Sequence, residues 1–499
     1  MKRRAFVRST LAAAMAAAVP YRRPLLAHFQ AVSQDAPNVD AITGDGGQVT
    51  LSGSAITDLK NRLQGRLLLA QDEGYDDARM ILNPSFDKRP ALIAQPTGTA
   101  DVRSAVDFAG ENNLLLAVKC GGHSFSGKST CDGGMMIDLS AFRDVRVDPV
   151  ARTARVTGGS LLAQVDHEAM AYDLVTPMGT VSHTGVGGLV TGGGFGRLAR
   201  RFGLAVDNML SADVVTADGQ FWRCSANENA DLFWGIRGGG GNFGIVTSFE
   251  FRLHPMQRRV VGGQILFPIE LARDILRFYA EYEARDDLTL DFMMVAPPGG
   301  APAMVGFGVC YSGPESAAER VLALVRSLGT PIVDGVQGMD YVALQQSGDT
   351  TDPRARATYL KSGFYPELPN GLIDAIVDGF DPAPNRTTLV FVQQSGGAIG
   401  RVANDATAFS HRDAAGNLLA ITDWAFGEDG SEHIASTRAY WANVEPFMQG
   451  FYTNDVTLED TAETINANYR ENYPRLVDIK NKYDPTNLFR LNANVQPTM

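Results

Sequence analysis

A two-domain α+β protein is predicted, on three observations. The chain has 499 residues, long for one hydrophobic core, so domains of roughly 100 to 250 residues are expected. Glycine is abundant, with 52 residues, and clusters in three groups between residues 121 and 244, where backbone must approach something closely. Near residue 259 the texture changes to longer alternating segments interleaved with helical patterns. Few crossovers there suit a parallel doubly wound sheet, so an antiparallel sheet covered by helices is expected. The predicted divisions are 1–27, 28–86, 87–258, 259–450 and 451–499.

Residues 1–27 read as an export signal. Lys2, Arg3, Arg4 and Phe6 precede an Ala-rich stretch over 11–19, too short to span a bilayer comfortably. Paired arginines followed by an aromatic match the twin-arginine variety, with cleavage near Ala18 and near Ala27 both open. Residues 28–86 form a polar lead-in. A strand over 89–95 follows, then a helix capped by Thr99 with Val102, Ala105, Val106 and Ala109 on its buried face. Strands over 114–118, 135–139 and 153–157 precede a helix capped by Ser160. In the second domain, strands are predicted over 264–268, 288–295, 304–311, 388–394 and 419–426, with helices over 270–285 and 315–328. The last segment holds two short helices, Pro474 suiting a first helical position and Asp484 with Pro485 ending the second.

Composition excludes several functions. Lys and Arg total 44 against 56 Asp and Glu, a net charge of −12, the wrong balance for a phosphate-backbone partner. No segment beyond the signal is apolar enough to span a membrane. Cys120, Cys131, Cys224 and Cys310 lack metal-ligand spacing and are too few for a framework, although Cys120 and Cys131 would be able to pair after export. Neither a His-x-x-x-His nor a Cys-x-x-Cys pair marks a zinc site. Gly239, Gly241 and Gly244 satisfy the nicotinamide fingerprint formally, but that fingerprint must follow a strand and open a helix. Here the preceding segment looks helical and the following one alternates as a strand. The run from Gly122 to Ser126 misses the nucleophile elbow at its last position.

Glycines at loop tips allow positive φ and let consecutive N–H groups face one anion, as a pyrophosphate cradle requires. The groups are Gly121, Gly122 and Gly127; Gly185 through Gly196; and Gly238 to Gly244. Together with His123 and Ser124, Thr184, Phe195, the run from Gly203 to Asn208, Asp231 to Trp234, and an ending from Tyr483 to Asn494, they resemble the berberine-bridge-enzyme-like FAD-linked oxidases. These belong to the vanillyl-alcohol-oxidase flavoprotein superfamily, with its PCMH-type FAD-binding domain. The matches bracket residues 85–499 in fixed order. The resemblance implies an FAD-binding domain over 87–258 joined by the returning segment 451–499, and a substrate domain over 259–450.

It also implies site residues. His123 would be the covalent ligand of FAD; a neutral imidazole is a competent nucleophile. The cofactor would further meet Cys120, Gly121, Gly122, Ser124, Gly127, Thr184, Gly185, Gly188, Gly193, Gly194, Gly196, Asn208, Gly240, Asn242, Gly244, Val246, Asn492 and Asn494. Many relatives add a second bond from a cysteine where this chain has Val181, so a single link is expected. Tyr452, in a Tyr-x-Asn pattern with Asn454, is the implied base for a substrate hydroxyl; a free phenol has a pKa of about 10, so either a nearby cation, with Lys361 and Arg412 as candidates, or the reoxidised flavin would have to help it. The implied activity is oxidation of a sugar or secondary-metabolite hydroxyl, with dioxygen as acceptor and hydrogen peroxide as product. A dehydrogenase using another acceptor and a flavin-carrying binding protein are the alternatives. Oligomeric state is left open.

Overall fold

The computed structural model describes residues 35–283, 285–349 and 354–498; the expected export signal lies outside them. The first unit has two larger sheets and two two-stranded ones. One orders the strands Arg66–Leu68, Leu92–Gln95, Met135–Asp138 and Leu116–Lys119. Its last three strands run parallel, which the crossover helix Thr99–Glu111 permits. The other is antiparallel, in the order Phe221–Ser225, Met209–Val215, Ile245–Arg252, Thr153–Thr157 and Val145–Asp148.

Three local expectations are corrected. Residues 28–86 are not a mere lead-in. Val39–Ile42 pairs with Gln48–Leu51, Arg66–Leu68 extends the first sheet, and Ile56, Leu59 and Leu67 enter one core with Leu92 and Val106. Their polar neighbours concealed a helical spacing of buried residues. Thr99 is not a cap: Gly98 holds the N-cap position, and the Asp101 carboxylate accepts the N–H groups of Gln64, Gly65 and Thr97. Nor does Ser160 cap its helix, Leu162–Met170. Its hydroxyl is engaged with Asp144 and Thr157, while Gln164 Oε1 accepts the Leu161 N–H.

Inside that helix Asp166 is buried, and Gln345 Nε2 donates to it at 3.2 Å. Burial pushes its carboxyl up to about 7, so the folded chain holds a proton there that the unfolded chain has released. Its contribution to stability therefore falls as pH rises from about 4 through about 7. Asp166→Asn is expected to stabilise by on the order of 2 kcal/mol at pH 8 and by nothing at pH 4. Equal denaturation midpoints for the two proteins at both pH values would refute this.

The second unit is an eight-stranded antiparallel sheet. Seven strands run in the order Val333–Asp334, Arg259–Pro268, Met304–Tyr311, Leu288–Ala296, Thr387–Gln394, Gly416–Ala425 and Arg356–Tyr365, and Gln337–Asp340 joins Arg259–Pro268. Strand alternation sorts its two faces. Val390, Val392, Leu418, Ala420 and Tyr365 pack in one core with Leu276, Ile373 and Trp441 of the helices Ala272–Glu281, Asn370–Asp378 and Ser431–Val444. Phe391, Gln393, Leu419 and Ile421 face the first unit. Arg356–Tyr365 was not anticipated because Lys361, Ser362 and Gly363 interrupt its apolar pattern.

Residues 395–415 leave this sheet and bind the first unit, so the span 259–450 is not self-contained. Ala408 and Phe409 join the first unit's core, Trp234 Nε1 donates to Asp405 O at 2.7 Å, and buried Arg412 forks onto Asp207 at 2.7 Å on both oxygens. The last segment returns to the same unit. From the helix Tyr473–Tyr483, fully buried Lys480 donates to Asn242 O, Phe489 O and Asp484 Oδ2. Asp484 in turn accepts the N–H groups of Leu488 and Phe489.

Candidate active site

A cavity of about 440 Å³ lies where the two units meet. Of the predicted residues, Cys120, Gly121, Gly122, His123, Ser124, Thr184, Gly185, Gly188, Gly240, Gly244, Val246, Tyr452 and Asn492 line it. Gly127, Gly193, Gly194, Gly196, Asn208, Asn242 and Asn494 do not line it. Asn208 instead donates to the carbonyls of Phe202 and Leu204 and meets His254. Asn242 fastens the C-terminal segment, donating to Ala493 O and accepting from Val495 N.

The glycines separate into two kinds. Gly121 and Gly185 touch, and a methyl group on either would overlap the other's backbone. They join the loop carrying His123 to the loop carrying Thr184. Gly192 and Gly193 leave room for Asn454 and Tyr452, and Gly196 packs against Met178 O. By contrast, a Cβ at Gly188 would meet nothing within 4 Å, so this glycine presents bare main chain to the cavity. Gly121→Ala is expected to cost about 3 kcal/mol through overpacking. Gly188→Ala is expected to leave stability nearly unchanged and weaken cofactor retention. Thermal denaturation with flavin release measures both, and equal midpoints for the two variants would contradict this division.

His123 Nε2 stands 2.6 Å from His183 Nδ1, and His123 Nδ1 stands 3.3 Å from Thr184 Oγ1. Burial, reinforced by His183, lowers the His123 pKa to about 3. The ring is therefore neutral near pH 7, one nitrogen carrying the proton and the other a lone pair. His183 was not anticipated; a second histidine immediately before Thr184 was the available signal. The cysteines are free thiols, so the considered Cys120–Cys131 pair is absent. Cys120 keeps its proton, burial pushing its thiol up to about 11.

The Tyr452 phenol is 4 % exposed. Its oxygen accepts the Gly194 N–H and one Asn454 Nδ2 hydrogen, both at 2.8 Å. Burial raises its pKa above the usual value, and the Gly194 hydrogen bond opposes this. Two donors on the oxygen support negative charge there. The expected helpers are engaged elsewhere: Lys361 pairs with Glu459 at 2.6 Å and Arg412 with Asp207. Lys128, also unanticipated, lines the cavity and donates to Asn492 O at 2.8 Å.

The residues present fit FAD. Besides the bare backbone at Gly188, the cavity wall carries Asn492 Oδ1 and Ser129 Oγ, buried polar atoms with no hydrogen-bond partner among the described residues. Such atoms call for a polar ligand. Among the described residues no helix is long and apolar enough to cross a membrane, and no group of side chains is set to hold a metal ion.

Two family models match: an FAD binding domain over residues 90–225 and a berberine and berberine-like segment over 455–496. The chain is 31% identical over 452 residues to (R)-6-hydroxynicotine oxidase of Paenarthrobacter nicotinovorans, covering 87% of this chain and 97% of that protein. The crystal structure of 6-hydroxy-D-nicotine oxidase from Arthrobacter nicotinovorans superposes with a TM-score of 0.79 at 30% identity, covering 87% and 98% of the two chains. Xylooligosaccharide oxidase from Myceliophthora thermophila, solved with xylobiose, gives a TM-score of 0.79 at 25% identity, covering 89% and 100%. The fold, the bare-backbone cavity and these relatives converge: the chain belongs to the berberine-bridge-enzyme-like FAD-linked oxidoreductases.

Proposed function

We propose that this enzyme is an oxidase that removes hydride from a hydroxyl-bearing carbon of a sugar or secondary metabolite. The observation that carries the reading is the Tyr452 oxygen, on the cavity wall with two N–H donors aimed at it. Similarity to xylooligosaccharide oxidases supports the reaction class. FAD, when bound, supplies a two-electron acceptor that passes its electrons to dioxygen, giving hydrogen peroxide.

The chain's own residues do the rest. Tyr452 takes the substrate hydroxyl proton, and Gly194 N–H and Asn454 Nδ2 support the phenolate. Phe391, Leu419, Ile421 and Val456 exclude water and orient the substrate's body. His123, held neutral, would hold the cofactor by a single covalent link, since Val181 offers no thiolate. The test is a screen of sugars and hydroxylated metabolites for peroxide release, followed by anaerobic reduction and admission of air. Slow reoxidation by air would replace the oxidase reading with a dehydrogenase.

Export belongs to the same proposal, on the strength of Arg3, Arg4 and the short apolar stretch after them. Replacing both arginines by lysine is expected to retain the protein inside the cell. Unchanged export, measured by fractionation, would remove the twin-arginine assignment.

A further inference from the structure

Two cavities share one loop. Segment 120–123 lines the cavity that fits FAD and also a second one, of about 550 Å³, walled in part by Lys119, Asp138, Ser140 and Arg143. His123 reaches both cavities, Thr184 lines only the first and His183 only the second. The nitrogens of the His123 ring divide the same way. Nδ1 stands 3.3 Å from Thr184 Oγ1, and Nε2 stands 2.6 Å from His183 Nδ1. The two imidazole centroids lie 4.7 Å apart, a separation at which those nitrogens point at one another.

Two proton arrangements satisfy these contacts. In one, His123 Nδ1 carries the proton and offers no lone pair beside Thr184. In the other, the Thr184 hydroxyl donates to Nδ1, Nε2–H donates to His183 Nδ1, and the lone pair lies on the side of the FAD cavity. A new bond at Nδ1 would turn the ring into a cation unless Nε2 gave up its proton, and burial disfavours the charged ring. His183 is the group on that nitrogen. The Asp349 carboxylate, which accepts the Ser182 N–H at 2.8 Å, favours positive charge at this pair. The second cavity is polar and large enough for water to carry a proton onward.

We propose that His183 is the positioning residue for FAD attachment: it fixes the His123 proton on Nε2, leaves Nδ1 free to bond the flavin's 8α carbon, and takes the Nε2 proton as that bond forms. In the balanced step one C–H bond of the 8α methyl group and the His123 N–H bond break, and the N–C bond forms. The electron pair and two protons pass to the ring system, and dioxygen then removes them as hydrogen peroxide. This rests on reading His123 as the tether and names the residue that lets the tether form.

The test reads attachment, not turnover. Full-length wild type, His183→Gln and His183→Gly are made in riboflavin-starved cells, loaded with FAD in air at time zero and sampled into acid, and the flavin left on the chain is measured. The wild type should end with one linked flavin per chain, joined through Nδ1. Both variants should hold FAD but gain the link about a hundredfold more slowly, the low end of what a positioned base contributes. Free imidazole, for which the second cavity has room, should speed linkage in His183→Gly by roughly tenfold or more. A residue that merely packed His123 in place would not be replaced by a free base.

Variants that link as fast as the wild type, or a His183→Gly protein indifferent to imidazole, would overturn the inference. Should both variants fail to fold, the ring position in the wild type decides by itself: a link through Nδ1 supports the inference, and a link through Nε2, the nitrogen facing His183, refutes it. A wild type without any link removes the tether and this inference with it. A linked wild type beside normally linking variants removes this inference alone.

Discussion

Tyr452→Phe is expected to slow flavin reduction by a true substrate by about a hundredfold, the scale at which a positioned general base contributes. The ring itself fits, since Phe195 packs edge-on against it at 5.5 Å. Only the oxygen is lost, leaving the Gly194 N–H and Asn454 Nδ2 facing each other across the gap. On the proposed mechanism the active form is the phenolate, and burial raises the phenol's pKa. The reduction rate should therefore rise with pH into the alkaline range and become flat in the variant. Anaerobic rapid-mixing measurements across pH decide the matter, and an unchanged rate would reduce Tyr452 to a packing residue.

His123→Ala is expected to remove the covalent link entirely. Acid-precipitated wild-type protein should stay yellow and the variant colourless, with mass spectrometry finding one modified histidine in the former and an unmodified peptide at Val181. FAD should still bind the variant reversibly, because Gly188 and the unmet oxygen of Asn492 remain. An electron-poor imidazole substituent favours hydride acceptance, so its loss should slow substrate oxidation by about tenfold or more. A wild-type protein whose flavin is freed by acid would overturn the tether while leaving the fold and family untouched.

The sequence was most legible where chemistry and backbone geometry constrained the same residues. The strand Met304–Tyr311 was read to the residue, and the antiparallel second sheet followed from the scarcity of crossovers suited to a parallel one. The misses have physical reasons. Thr99 and Ser160 looked like caps because hydroxyl residues favour helix starts, but Asp101 and Gln164 perform those tasks from inside the helices. A dense glycine run signals close approach without saying to what: Gly121 and Gly185 meet each other, Gly193 meets Tyr452, and Gly188 faces the cavity. Asn208 fitted a family pattern, yet its amide is spent on the carbonyls of Phe202 and Leu204. Asp455 carries no local pattern, and the meeting of His183 with His123, 60 positions apart, shows only once the two loops are brought together.

The clasp around Lys480 bears on how the protein is made. Everything from Tyr452 onward, including Asp455, Asn492 and the ammonium-bonded knot at Asp484, is made after the three glycine loops. A chain that already displays all three glycine loops still has an open trough without Tyr452. The cavity is therefore closed only once residues 452–493 are in place, and a chain without them lacks the wall that Tyr452, Asn454 and Asn492 supply.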